Sequence, residues 1–235
     1  MNLNEFRKNE FSQFGEDGII EKIFKTIRPK NKLCLEFGAW DGLYLSNTAN
    51  LWKNKDWNAI LIESNKSKFD ELLENTKSYN SVTVLHEHVD NSLNSLDIIL
   101  DKNNLSKDID FLSIDIDGND FYILESLQFR PSVICIEYNP TIPYWMDVKQ
   151  DFNDKNRFGA SPKAIIDLAN NMDYFFAAAT DVNIFLINKK YEKSFLKYDN
   201  NISELITKDY YNIIISTYDG VLKEYTPFVY GKKKQ

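Results

Sequence analysis

Apolar residues recur at Ile19, Ile20, Ile23, Phe24 and Ile27 and stop before Pro29, a spacing that predicts a helix over about 16–28. Beyond it, short apolar runs alternate with segments of helical period. The runs are 33–37, 59–62, 82–85, 109–114 and 133–136, separated by Phe69, Leu72 and Leu73 and then by Leu93, Leu96, Ile99 and Leu100. Parallel strands need a crossover long enough for a helix, so this alternation predicts an α/β fold, a mostly parallel doubly wound sheet with helices on both faces. After the fifth run the pattern breaks into an irregular polar connection over about 139–160, expected to be an acceptor-side insert or lid. Ser161 and Pro162 then read as N-cap and first turn of a helix, followed by strands near 174–178 and 182–187. With no internal repeat and no Pro/Gly/Ser-rich linker, residues 1–235 read as one domain, in which 189–235 carry the least legible pattern.

Composition narrows the class. Hydrophobic residues make up 43% and charged residues 27%, ordinary for a globular chain. A formal charge of −7 gives no general attraction for a polyphosphate backbone, which argues against nucleic acid as a partner. The one basic run, Lys232-Lys233-Lys234, reads as a solvated tail. Cys34 and Cys135 each sit inside an apolar run and are expected to be reduced core thiols. The start of the chain lacks an apolar signal stretch and no segment approaches ~18 uncharged apolar residues, so a cytoplasmic, non-spanning protein is expected.

Doubly wound sheets bind ligands at the carboxyl ends of their strands, which makes the residues after each run informative. The first runs into Glu36-Phe37-Gly38-Ala39-Trp40-Asp41-Gly42, whose two glycines permit a tight turn and close approach of a ligand. The second ends in Glu63-Ser64, and an acidic residue there suits the hydroxyls of a ribose. A nicotinamide dinucleotide would need Gly-x-Gly-x-x-Gly around its pyrophosphate, whereas here Trp40 occupies the middle glycine and Glu36 stands beside the turn. S-adenosylmethionine (SAM) carries a sulfonium and an ammonium instead, charges that Glu36, Asp41 and Asp115 would attract. The third run leads into His86-Glu87-His88-Val89-Asp90-Asn91, where Asp90 or Asn91 would meet an adenine amino group. His86 and His88 share a strand face by period two and read as packed or rim residues. The fourth and fifth runs end in Asp115-Ile116-Asp117-Gly118-Asn119-Asp120 and Glu137-Tyr138-Asn139-Pro140. Carboxylates converging there would repel one another unless a proton, hydrogen bonds or a cation compensated.

Taken in order, Ser12-Gln13-Phe14-Gly15-Glu16-Asp17-Gly18, the glycine turn at 36–42, Ser113 to Asp120, Ile136 to Pro140 and Gly159-Ala160-Ser161 resemble the FkbM-like class I SAM methyltransferases. The resemblance implies a Rossmann-like sheet of order 3-2-1-4-5-7-6 and O-methylation of sugars or related small molecules, often in surface-polysaccharide (capsule) or natural-product biosynthesis. It also implies that Gln13 and Gly15 close over the methionine part of SAM, that Glu36, Gly38 and Asp41 line it, and that Glu63 binds the ribose. Ala39, Ser64, Asp90, Asn91 and Asp115 complete the expected cofactor set. Trp40 departs from the small or polar residue common at its position.

SAM is already activated, so the remaining chemistry is alignment and removal of the acceptor's proton. Asp115, Asp117 or Glu137 would serve as general base, or the three would hold a divalent ion such as Mg²⁺ or Mn²⁺. Tyr138, Tyr144 and Trp145 would either stack on a sugar ring or simply cover the core. Two other readings compete: a metal-dependent glycosyltransferase using Asp115-Ile116-Asp117 as an Asp-x-Asp motif, and a Rossmann-like module that binds a nucleotide without chemistry.

Overall fold

The computed structural model describes residues 1–153, 157–206 and 213–225. A 3₁₀ turn at Leu3–Phe6 precedes helix α1, Glu16–Ile27. Ile19, Ile20, Ile23 and Phe24 are buried on one stripe of α1, and the helix stops where Arg28 turns left-handed ahead of Pro29. Seven strands then build the main sheet: β1 Leu33–Phe37, β2 Asn58–Ile62, β3 Val82–Leu85, β4 Phe111–Ile114, β5 Val133–Glu137, β6 Tyr174–Ala179 and β7 Asn183–Asn188. Helices α2 (Ala49–Asn54), α3 (Lys66–Thr76), α4 (Leu96–Lys102), α5 (Asp120–Ser126) and α6 (Pro162–Asn171) connect them. A short helix α7, Ile202–Leu205, and a separate hairpin of β8 (Ile213–Ser216) and β9 (Leu222–Tyr225) follow.

The strand order is β3-β2-β1-β4-β5-β7-β6, parallel through β5 and antiparallel for β7 and β6. This is the strand order that the family resemblance implies. The central strands are apolar almost throughout because both of their faces are covered. On one face α1 packs with Cys34, Phe111, Cys135 and Phe185, and on the other α4, α5 and α6 pack with Phe37, Leu112, Ile114 and Ile134. Both cysteines are free and buried, and burial pushes each thiol well above its usual range. Among the described residues no helix is long and apolar enough to cross a membrane.

Two local expectations are corrected, and one left open is decided. Leu93 lies before α4 rather than in it and is almost fully exposed, because Asp90 folds the 90–94 segment into a loop of its own. His86 and His88 lie past the end of β3, which pairs with β2 only as far as Leu85. His86 instead stacks on Phe69 at 4.9 Å and bonds the Ser64 carbonyl through Nε2. Tyr138 is buried and donates its hydroxyl to the Thr180 carbonyl at 2.9 Å, so its ring belongs to the core. The basic run at 232–234 lies outside the described residues.

Candidate functional site

Parallel register brings Glu36 of β1 beside Ser113 of β4, and Ser113 beside Cys135 of β5. Side chains two residues apart share a face, so Asp115 and Glu137, just beyond, emerge on the α1 side of the sheet. The N-terminal segment closes over this edge. Glu16 is fully buried, accepting from Phe14 N at 2.7 Å, Thr180 Oγ1 at 2.6 Å and Asn183 Nδ2 at 3.1 Å. Asn183 is the register partner of Glu137. Asp17 Oδ2 collects the backbone N–H groups of Glu10, Phe11 and Ser12 at 2.8–2.9 Å, and Arg7 reaches Asp181 Oδ1 and the Ala179 carbonyl. The motif from Ser12 to Gly18 is therefore a strap tied down across the carboxyl ends of the strands. Sequence reading assigned Gln13 and Gly15 to the cofactor; Gln13 is exposed on this strap, and Gly15, at φ 97°, is its turn.

Each acidic residue singled out earlier has a definite place. Glu36 is buried and accepts from Ser46 Oγ, Asn47 N and Thr48 Oγ1 at 2.6–2.9 Å, which organises the start of α2; burial still raises its pKa. Asp41 Oδ1 accepts from Leu43 N and Tyr44 N, closing the turn after β1. Asp90 Oδ1 caps its own loop at Ser92 and Asn94; burial works against the charged form, but those hydrogen bonds prevail and its pKa is lowered. Asn91 is half-buried in the same loop, and Ser64 is exposed next to Glu63. Glu63 is buried and ties two loops together, accepting from Trp40 N at 2.8 Å and Asn65 N at 2.6 Å. Ala39 is buried beneath the turn. Gly38, at φ 70°, lies against the next loop so closely that a Cβ would sit 2.2 Å from the Asp115 carbonyl oxygen.

The expected trio of Asp115, Asp117 and Glu137 is corrected in one member. Oxygens of Asp115, Asp120 and Glu137 lie within 4.8 Å of one another, while Asp117 is exposed. The cause is local. Asp120, first residue of α5, accepts from Ile116 N at 2.8 Å and Gly118 N at 2.9 Å, wrapping the loop round itself and turning Asp117, at φ 55°, outward. Asp115 and Glu137 are within hydrogen-bonding reach of each other. Burial is the main cause that pushes both above the usual carboxyl range; the charges of Asp120 and Asp117 add to it at Asp115, where the hydrogen bond with Glu137 works the other way, and the charges of Asp115, Asp120 and Asp117 add to it at Glu137. The same three oxygens are the atoms that could hold a divalent ion.

Sequence reading missed Gln150, and it gave Asn119 and Asp120, which it placed in the converging run, no site role. Gln150 is buried in the insert between β5 and α6, where Nε2 donates to Asn119 Oδ1 at 2.7 Å and Oε1 accepts from Phe158 N and Gly159 N. Its carbonyl also accepts from Tyr122 Oη at 2.8 Å. The insert is thus stitched to the loop that carries Asp115. The available signal was the asparagine of Asp117-Gly118-Asn119-Asp120, which reads equally well as turn chemistry.

The family model for the methyltransferase FkbM domain matches residues 29–176, which includes β1 to β5 and the acidic pair. The chain belongs to the FkbM methyltransferase family. Membership makes it an enzyme of the SAM-dependent class I methyltransferases and sets aside the glycosyltransferase reading of Asp115-Ile116-Asp117. Solved structures share this fold at low identity. The CMeT domain of the citrinin polyketide synthase is 12% identical with a TM-score of 0.49, over 73% of this chain and 50% of that one, so the chain spans half of its length. A SAM-dependent methyltransferase from Aquifex aeolicus is 12% identical (TM-score 0.43, 78% of this chain, 94% of that one). The N-terminal domain of EvdMO1, solved with S-adenosylhomocysteine (SAH) and D-fucose, is 10% identical (TM-score 0.47, 74% and 82%). No curated protein matches the chain in sequence.

The methyltransferase's crevice suits a cationic donor. Glu16, Asp17, Glu36, Asp115 and Glu137 lie near one another at the strand ends, and among the described residues no lysine or arginine forms a salt bridge with any of them; Arg7, ahead of the strap, goes to Asp181. Asp17 Oδ1 is moreover buried without a hydrogen-bond partner. Carboxylates without a salt-bridge partner and an orphaned acceptor oxygen fit a sulfonium and an ammonium far better than a pyrophosphate.

Proposed function

We propose that this methyltransferase transfers a methyl group to a hydroxyl oxygen of a small polar, sugar-type acceptor, as in surface-polysaccharide or natural-product assembly, with the Asp115–Glu137 pair as its proton acceptor. The observation that carries the reading is the pair of carboxyls brought within hydrogen-bonding reach at the ends of neighbouring strands β4 and β5, both pushed above the usual range by burial. SAM, when bound, supplies a methyl group already activated by its positive sulfur, and the products are a neutral thioether and a released proton. Glu63 would receive the ribose, the turn at Gly38 and Ala39 would lie under the methionine part, and Gln13 and Gly15 of the strap would cover it. The protein's remaining tasks are to orient the hydroxyl and take its proton.

A carboxyl pair that holds one proton keeps one negative charge, and that carboxylate is the base. Its raised pKa strengthens it as a proton acceptor near neutral pH. A cation bound close by stabilises the charged form, so the pair would be deprotonated further as the donor arrives. The insert offers the acceptor a polar and aromatic surface: Trp145, Phe152 and Phe158 are partly exposed there, and flat rings of this kind suit the apolar face of a sugar. Asp120 serves the loop through its two backbone hydrogen bonds, which favours a proton over a metal ion between Asp115 and Glu137.

The test is SAH formation with a panel of free and nucleotide-linked sugars, with and without EDTA. The expected result is methylation at oxygen that survives chelation, with turnover of Asp115→Asn reduced about 10²–10⁴-fold. Methylation confined to carbon or nitrogen acceptors would overturn the oxygen assignment. Loss of turnover in EDTA, restored by Mg²⁺, would move the role of the carboxylates from base to metal ligands.

A further inference from the structure

Trp40 stands where a bulky side chain is unfavourable. Its backbone is left-handed, φ 52°, a region that large L-residues avoid. The core does not compensate for this, because the indole is 46% exposed. The conformation is nevertheless pinned from two sides. Trp40 N donates to Glu63 Oε2 at 2.8 Å, and the ammonium of Lys68, itself held by both carboxylate oxygens of Glu71, lies 4.7 Å from the centre of the ring. A strained, solvent-facing aromatic held firmly beside Glu63 at the carboxyl ends of β1 and β2 is a feature whose reason lies outside the apo fold.

We propose that Trp40 is a cofactor-binding residue whose indole walls the adenosine half of SAM or SAH. The inference rests on the reading of Glu63 as the ribose-binding carboxylate. Glu63 and Trp40 are joined by a hydrogen bond, so whatever Glu63 binds lies within side-chain reach of the indole. A purine and its ribose present a flat, largely apolar surface, and an indole braced by a cation over its ring is a pre-formed partner for it.

The experiment measures SAH binding by calorimetry, intrinsic fluorescence and apo melting temperature in wild type, Trp40→Phe and Trp40→Asn. Asparagine tolerates the left-handed region. Trp40→Asn is expected to weaken SAH binding about 5- to 100-fold, in the range of losing one base–aromatic stack, while the apo protein melts at the same temperature or about 2–4 °C higher as strain is released. Trp40→Phe should keep most of the affinity but lose most of the fluorescence change on SAH addition. An unchanged dissociation constant in Trp40→Asn, with wild type binding SAH, overturns this inference and leaves the donor reading intact. Failure of wild type to bind SAH overturns both. A Trp40→Asn protein that melts lower and binds normally assigns the indole to packing alone and also overturns the proposal.

Discussion

Replacing Glu137 with glutamine tests the acid–base reading through stability as well as rate. A carboxyl with an ordinary pKa of 4.5 is ionised in the unfolded chain at pH 7, yet in the folded protein burial and the neighbouring carboxylates push it up to about 10, so folding must take up a proton. Working between 4.5 and 7 at 1.36 kcal/mol per pH unit, that uptake costs about 3.4 kcal/mol at pH 7. The figure depends on the unfolded value alone, provided the folded pKa lies well above 7. Glutamine is neutral in both states and removes the cost, although its amide replaces a hydroxyl donor toward Asp115 and loses about 1 kcal/mol in geometry. The net expectation is a gain of about 2 kcal/mol at pH 7, or roughly 4–8 °C in melting temperature for a domain of this size.

The sign follows from the raised pKa. Wild type has its full stability from this group below about pH 4.5 and loses it as pH rises toward the folded pKa, so the advantage of Glu137→Gln should vanish near pH 4.5 and grow through pH 9. Thermal or urea melts at pH 5, 7 and 9 check this, alongside turnover, which should fall by about 10²–10⁴-fold. A variant less stable than wild type at pH 7, or one whose stability difference does not change with pH, would refute the argument that this carboxyl is held protonated.

Glu63→Ala should weaken SAH binding by about 1–3 kcal/mol, with an added stability loss because Trp40 N and Asn65 N lose their acceptor; calorimetry that finds an unchanged dissociation constant rejects the ribose role. Gly38→Ala would place a Cβ 2.2 Å from the Asp115 carbonyl oxygen in a left-handed residue, so melting should show a loss of roughly 2 kcal/mol or more and turnover should fall with it; a variant of normal stability would mean the two loops do not meet as described. Gln150→Ala removes the hydrogen bonds to Asn119, Phe158 and Gly159, and steady-state kinetics should show acceptor KM rising about tenfold while SAH affinity stays level. An equal loss of both would make Gln150 a general structural residue.

The order of strands and helices was legible along the chain because it is local information: apolar runs of strand length separated by helical periods leave few alternatives once parallel crossovers must be right-handed. Leu33–Phe37 and Val133–Glu137 were read to within a residue because strands buried on both faces are apolar but for one glutamate each near the carboxyl end. The family resemblance added the strand order, which periodicity could not supply. Candidate chemistry was legible as residue types at strand ends, including Glu63, Asp115 and Glu137.

Tertiary structure decided what each carboxylate does. Asp41, Asp90 and Asp120 look in sequence much like Asp115, yet the first three have their oxygens on nearby backbone N–H groups while Asp115 meets another carboxyl. The exchange of Asp117 for Asp120 in the cluster came from a single left-handed residue and two backbone hydrogen bonds, neither of which has a signature in composition or spacing. The hold of Gln150 on the Asp115 loop joins residues more than thirty positions apart through a buried amide, and Asp115 meets Glu137 only because β4 and β5 lie side by side. Burial and proximity set both charge state and partner, and they are properties of the folded sheet edge, whereas the pattern along the chain records only which groups are present to be placed there.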